Sequence, residues 1–63
     1  MTLEALILKD LAVSQSTADS IAGRLNKPTA AIQAILSRLE TENKVFHFLI
    51  LDRLKVYKLR PAP

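Results

Sequence analysis

The sequence predicts an α+β fold in which three short helices are followed by a C-terminal β-hairpin. Three observations favour this order. Leucine and isoleucine recur at helical spacing up to about residue 42. Two of the predicted helices are separated by only about three residues. After Lys44, β-branched and aromatic residues follow one another in short runs, which is typical of strands.

The first two helices are predicted from their apolar spacing and from the polar residues before them. The first covers about residues 2–12, and Thr2 is placed to cap it. The second covers about residues 17–26 and carries an apolar stripe with residues three and four apart. Either Ser16 or Thr17 can cap this second helix, because both hydroxyls precede its apolar stripe.

The third helix is predicted over about residues 28–42. Pro28 stands where a helix can begin, since its missing N–H would be unpaired there anyway. Asn26 tolerates the left-handed conformation that ends many helices. The second and third helices are therefore joined at the spacing of a helix-turn-helix motif. The residues expected to face the core from the third helix are Ile32, Ile35, Leu36 and Leu39.

The predicted hairpin covers about residues 45–60, and its first strand, VFHFLIL, is apolar on both faces. A strand of this kind is usually buried on both faces. Three helices cover only one face of a two-stranded hairpin, so the other face is expected to seek a partner. We therefore predict a homodimer formed through an apolar surface that comprises Phe46, Phe48, Leu54 and Val56.

Length and composition exclude several classes of function. A chain of 63 residues makes one small domain, 1–63, and the absence of cysteine excludes disulfides and thiolate metal sites. A single histidine, His47, excludes a multi-histidine metal site. The serines lack a plausible histidine base, and no glycine-rich phosphate loop is present. We predict no enzymatic activity, no metal and no cofactor.

The apolar runs and the charge distribution point to a cytoplasmic protein that meets a polyanion. No run reaches the ~20 apolar residues of a membrane helix, and the first residues do not form a secretory signal. Residues 1–43 hold four Lys or Arg against five Asp or Glu, whereas residues 44–63 hold five against one. The positive charge is concentrated in the C-terminal third, where contact with a polyanion is expected.

The stretch IAGRLNKPTAAIQAILSRLETENKV, followed by a hairpin that ends in VYKL, resembles the winged helix-turn-helix domains of small bacterial and phage transcription regulators. The matching pattern is carried by Ile21, Ala22, Leu25, Ile32, Leu36, Leu39 and Glu40. The same stretch also resembles the FeoC-type proteins linked to ferrous-iron transport. Those proteins carry a cysteine cluster in the wing, and this chain has none, so no iron–sulfur role is carried over.

This resemblance implies that the third helix enters the major groove of double-stranded DNA and that the hairpin, the wing, contacts the backbone. Gln33 is the outward residue suited to bidentate recognition of adenine, while lysine and arginine of the wing suit phosphates. The predicted DNA-binding residues are Lys27, Thr29, Gln33, Ser37, Arg38, Arg53 and Lys55. The function expected is DNA-binding transcription regulation; the alternative is a protein-interaction module that uses the apolar wing without contacting DNA.

Overall fold

The computed structural model describes residues 2–61, which form three helices and a three-stranded antiparallel sheet. The sheet order is β1-β3-β2. This architecture confirms the predicted α+β class and the order of helices and hairpin. In chain order the elements are α1 Leu3–Val13, β1 Ser16–Thr17, α2 Ala18–Leu25, α3 Thr29–Thr41, β2 Val45–Ile50 and β3 Leu54–Leu59.

The helix boundaries follow from local capping and agree with the predicted ones to within about one residue. The Thr2 side chain accepts a hydrogen bond from the Ala5 N–H at 3.1 Å and caps α1. Asn26 ends α2 with φ of 56°, in the left-handed region expected for it. Pro28 is the residue before the first helical position of α3. Its ring fixes φ at a value that is compatible with the start of a helix.

Strand β1 was not predicted, because two residues are too short to show a period in the sequence. Ser16 pairs with Tyr57 and Thr17 with Val56 across an antiparallel register. Thr17 also caps α2, since its side chain accepts a hydrogen bond from the Ser20 N–H at 3.1 Å. Of the two candidate capping residues, Thr17 therefore caps α2, while Ser16 is buried in the sheet.

The hydrophobic core lies between the helices and one face of the sheet, called here the inner face. Leu36 is fully buried at its centre, whereas Ile35 only packs against its border. Three of the four residues predicted to point inward from α3 are thus buried. The largest fully buried side chains are Ile7, Ile21, Ile32, Leu36, Leu39 and Val45.

The opposite face of the sheet, the outer face, carries Phe46, Phe48 and Val56 but is less open than predicted. Val56 is only 5% exposed although it does not belong to the core cluster. It lies on the central strand, with Thr17 opposite it on β1 and Phe48 opposite it on β2. The expectation that Val56 forms an exposed apolar surface is therefore wrong, because its two cross-strand neighbours cover it. Phe46 and Phe48 are half-buried, and Leu54 is 49% exposed.

The tip of the hairpin turns through two residues in left-handed conformation. Leu51 and Asp52 have φ angles of 56° and 58°, and the Arg53 N–H donates to the Ile50 carbonyl oxygen at 3.2 Å. A hairpin favours two consecutive positive φ angles because they match the twist of its strands. Leucine is an unusual residue there, since its Cβ is strained at positive φ.

Within residues 2–61, no helix is long and apolar enough to cross a membrane. Among the same residues, no group of three or more His, Asp or Glu side chains is arranged to hold a metal ion.

Candidate nucleic-acid interface

The exposed side of α3 presents small and uncharged side chains. Gln33 and Ser37 lie one turn apart and are exposed, and Thr29 lies one further turn toward the start of the helix. Ala30 and Ala34 are exposed between them. Such a surface allows the helix backbone to approach a flat or grooved partner closely, and Gln33 provides the amide for directional hydrogen bonds.

A groove of about 400 Å³ separates α3 from the wing, and we call it the wing groove. Gln33 and Ser37 line it from α3, while Arg53 and Lys55 line it from the wing. These are four of the seven residues predicted to bind DNA, and they come from two elements that are distant in sequence. The complete lining is Thr17, Ala18, Asp19, Gln33, Ser37, Arg53, Leu54, Lys55 and Tyr57.

A second groove, of about 540 Å³, follows the turn between α2 and α3 and is called here the turn groove. Lys27 and Thr29, two more of the predicted residues, are part of its lining. Asp19 borders both grooves, so they adjoin at the start of α2. Six of the seven predicted residues therefore lie along one continuous side of the domain.

Within residues 2–61, the cations along this side have no carboxylate partner, in contrast to several cations elsewhere. Among the described residues, Lys27, Arg53 and Lys55 make no ion pair within 4.0 Å. The carboxylates of α1 instead pair with cations outside the two grooves, Asp10 with Arg24 at 2.7 Å and Glu4 with Arg38 at 2.9 Å. The groove side thus keeps its positive charge available, although Asp19 offsets part of it.

Arg38, the seventh predicted residue, lies apart from both grooves. Its guanidinium donates to Glu4 Oε2, which ties the C-terminal half of α3 to α1. It belongs to the lining of neither groove. The sequence places Arg38 on the exposed part of the helix, but only the position of α1 determines which partner it faces.

The structure adds Thr17, Asp19 and Tyr57 to the residues that line the wing groove. Tyr57 is largely buried, yet its edge reaches the wing groove. Burial, with a smaller contribution from the Glu40 carboxylate, raises the pKa of the Tyr57 hydroxyl above its ordinary value. The hydroxyl is therefore neutral at physiological pH and is a possible hydrogen-bond donor. No spacing in the sequence predicts this position.

His47 lies on the inner face of the wing, away from both grooves. Its Nδ1 contacts Glu40 Oε2, and its ring is 5.6 Å from the ring of Tyr57. It is a half-buried imidazole with a carboxylate partner, and it joins β2 to the end of α3.

Solved structures with this fold come from bacteria and an archaeon. A variant of ZitR from Lactococcus lactis has a TM-score of 0.86 and 27% sequence identity, covering 90% of this chain and 40% of ZitR. The transcriptional regulator BldR from Sulfolobus solfataricus has a TM-score of 0.87 and 23% identity, covering 94% of this chain and 44% of BldR. The adhesin competence repressor AdcR from Streptococcus pyogenes has a TM-score of 0.86 and 21% identity, covering 95% and 47%.

These similarities establish the winged helix-turn-helix fold. The chain spans between 40% and 47% of the length of these three proteins. No protein-family model and no curated protein matches the sequence. The resemblance to FeoC-type proteins therefore stays a prediction.

Proposed function

We propose that this domain binds double-stranded DNA and regulates transcription, with α3 in the major groove and the wing on the phosphate backbone. The observation that carries the proposal is the wing groove, which brings Gln33 and Ser37 of α3 together with Arg53 and Lys55 of the wing. Structural similarity to the transcriptional regulator BldR and the repressor AdcR supports the same function.

In this proposal, affinity comes mainly from phosphate contacts. Arg53 and Lys55 lie beside α3 on the wing, and Lys27 lies at the turn that precedes α3. Cations beside a helix and at its start suit a duplex, because phosphates border the major groove. Each phosphate that a lysine or arginine neutralises releases counterions, so binding weakens as the salt concentration rises.

Sequence preference in this proposal depends on few side chains. Gln33 offers an amide that can donate to and accept from the N7 and N6 edge of adenine. Thr29 and Ser37 hydroxyls bond to a base or to a phosphate, and the alanines leave room for thymine methyl groups. A preference of this kind is modest, because one bidentate contact contributes about 1–3 kcal/mol of discrimination.

A second candidate function, a protein-interaction module without DNA contact, is favoured by the apolar tip of the wing. Leu51 is 77% exposed, Leu49 53% and Leu54 49%. Such a cluster is costly in water and suits an apolar partner surface. This cluster lies next to Arg53 and Lys55, so the two functions differ in which residues become buried on binding. A protein partner would bury the leucines, whereas DNA would contact the cations.

The deciding experiment is a titration of the protein into a mixed-sequence duplex at two salt concentrations. We expect a binding constant that falls steeply between about 50 and 200 mM salt. The absence of binding at the lower salt concentration would reject the DNA-binding function and favour the interaction module. A duplex of the same length that contains one preferred sequence then measures how much discrimination α3 adds.

A further inference from the structure

Strand β2 forms an edge of the sheet. The order β1-β3-β2 places β3 on one side of β2 and no strand of the described chain on the other. β2 is six residues long, and its register with β3 runs without interruption from Val45 opposite Leu59 to Ile50 opposite Leu54. It therefore has no bulge to end strand pairing. A regular edge of this length is a template for another strand.

Proteins usually protect such an edge with lysine, proline or a charged residue that points inward. Strand β2, VFHFLI, contains none of these, and His47 is its only polar residue. The charged residues of the hairpin lie instead on β3 and at the turn, where Lys55 and Lys58 are exposed. In a monomer, β2 would therefore be an edge strand without the residues that usually prevent further strand pairing.

The direction of the backbone groups on this edge follows from one hydrogen bond. The Arg60 N–H donates to the Lys44 carbonyl oxygen at 3.1 Å, so the backbone C=O group of Lys44 points toward the β3 side. In an antiparallel ladder, this orientation alternates along the strand. Phe46, Phe48 and Ile50 therefore direct their N–H and C=O groups to β3. Val45, His47 and Leu49 direct theirs away from β3. Because Val45 is fully buried, only His47 and Leu49 present these groups at an accessible edge.

We propose that two copies of this chain pair antiparallel along β2 and form one continuous six-stranded sheet. The two-fold axis requires the same strand on both sides. Only an even register keeps the inner faces of both copies on the same side. The register that pairs both accessible residues places His47 opposite Leu49 of the second copy and Leu49 opposite His47 of the second copy. It forms four backbone hydrogen bonds.

The same register joins the aromatic residues of the outer face. Phe48 then lies opposite Phe48 of the second copy, at a non-hydrogen-bonded position where side chains are closest. Each ring is half-buried within its own copy, and Val56 is already covered by Phe48. Pairing therefore extends an existing apolar layer across the two-fold axis. Cross-strand aromatic pairs stabilise antiparallel sheets.

This pairing goes beyond the proposed DNA binding and does not compete with it. Neither the wing groove nor the turn groove is lined by a residue of β2. Both interfaces of a dimer thus stay open. A dimer that fails to form would leave the DNA-binding proposal intact, and a dimer that fails to bind DNA would leave the strand pairing intact.

The direct test measures backbone amide exchange of the unmodified chain together with sedimentation over a wide concentration range. We expect the amides of His47 and Leu49 to exchange quickly when the protein is dilute and to become protected as the dimer forms. Phe46, Phe48 and Ile50 should be protected at both concentrations. A dimer in which the His47 and Leu49 amides still exchange quickly would overturn the proposal.

A matched pair of variants tests the same edge independently. Leu49→Pro removes an outward N–H from an exposed position of an edge strand, where proline is tolerated. Two hydrogen bonds of the dimer are lost by symmetry, so we expect dimerisation to weaken about tenfold or more. Leu49→Ala keeps the N–H and should dimerise nearly as well as the parent chain.

Equal dimerisation of Leu49→Pro and the parent chain would contradict the pairing. If circular dichroism shows that Leu49→Pro does not fold, the amide measurement on the parent chain decides. A parent chain that stays monomeric at about 1 mM would also overturn the proposal, since specific dimers form well below that concentration. The edge would then be available to a strand of another protein.

Discussion

Arg38 Nη2 lies 2.9 Å from Glu4 Oε2, so a cation on the exposed part of α3 is paired with α1. The Lys44 ammonium is 3.7 Å from the other oxygen of the same carboxylate. This cluster lies outside both grooves, whereas Lys27, Arg53 and Lys55 border them without a carboxylate partner in the described chain. The difference separates cations that join helices from cations available to a phosphate.

Arg38→Ala is therefore expected to leave the salt dependence of DNA binding unchanged. The lost ion pair is largely exposed, so the free energy of unfolding should fall by less than about 1 kcal/mol. Urea denaturation and a salt titration with one duplex measure the two quantities. A salt slope that flattens by about one unit would mean that Arg38 leaves Glu4 and neutralises a phosphate.

Arg53→Ala and Lys55→Ala should each weaken binding to all duplexes alike. Loss of one phosphate contact flattens the plot of log binding constant against log salt concentration by about one unit. Lys9→Ala is the matched control, because it removes the same charge from an exposed position of α1 outside both grooves. If the control lowers affinity as much as the wing variants, only net charge matters and the docking through the wing is wrong.

Gln33→Ala should change which sequence is preferred rather than how strongly DNA is bound in general. If the amide contacts adenine, discrimination between the preferred and a substituted duplex falls by about 1–3 kcal/mol. Competition binding with duplexes that differ at one base pair measures this difference. Arg53→Ala, by contrast, should leave the ranking of the duplexes unchanged. An unaltered ranking in Gln33→Ala would exclude base recognition by this residue.

Leu36→Ala should abolish cooperative folding. Leu36 is fully buried, and truncating a buried leucine costs about 2–5 kcal/mol. That loss is a large part of the total stability of so small a domain. Thermal melting followed by circular dichroism tests this expectation, with Leu51→Ala as a control because Leu51 is exposed at the wing tip. A Leu36→Ala variant that melts like the parent chain would contradict the core described above.

Asp52→Gly should stabilise the domain. The φ angle of Asp52 is 58°, and glycine adopts this conformation without the steric penalty of a Cβ atom. Glycine also makes the unfolded chain more flexible, which offsets part of this gain. We expect the free energy of unfolding to rise by about 0.5–1 kcal/mol before that offset. Asp52→Ala removes the same carboxylate but keeps a Cβ atom, so it should not stabilise. A gain in both variants would assign the effect to charge instead of backbone conformation.

The sequence by itself determined the elements and most of the inward-facing residues. Helical spacing identified Ile32, Leu36 and Leu39, because a residue every three or four positions lies on one side of a helix whatever surrounds it. The end of α2 at Asn26 could also be predicted from local sequence, since the left-handed conformation depends on one residue. The change of period after Lys44 located the hairpin for the same reason.

Only the tertiary structure decided what each exposed side chain faces. Gln33 and Lys55 border one groove because α3 packs beside the wing, and no spacing along the chain encodes that distance. Arg38 turns to Glu4, and Val56 is covered on the outer face, because partners far away in the sequence come within contact distance. Periodicity reports the side of an element on which a residue lies, whereas the partner on that side depends on the packing of separate elements.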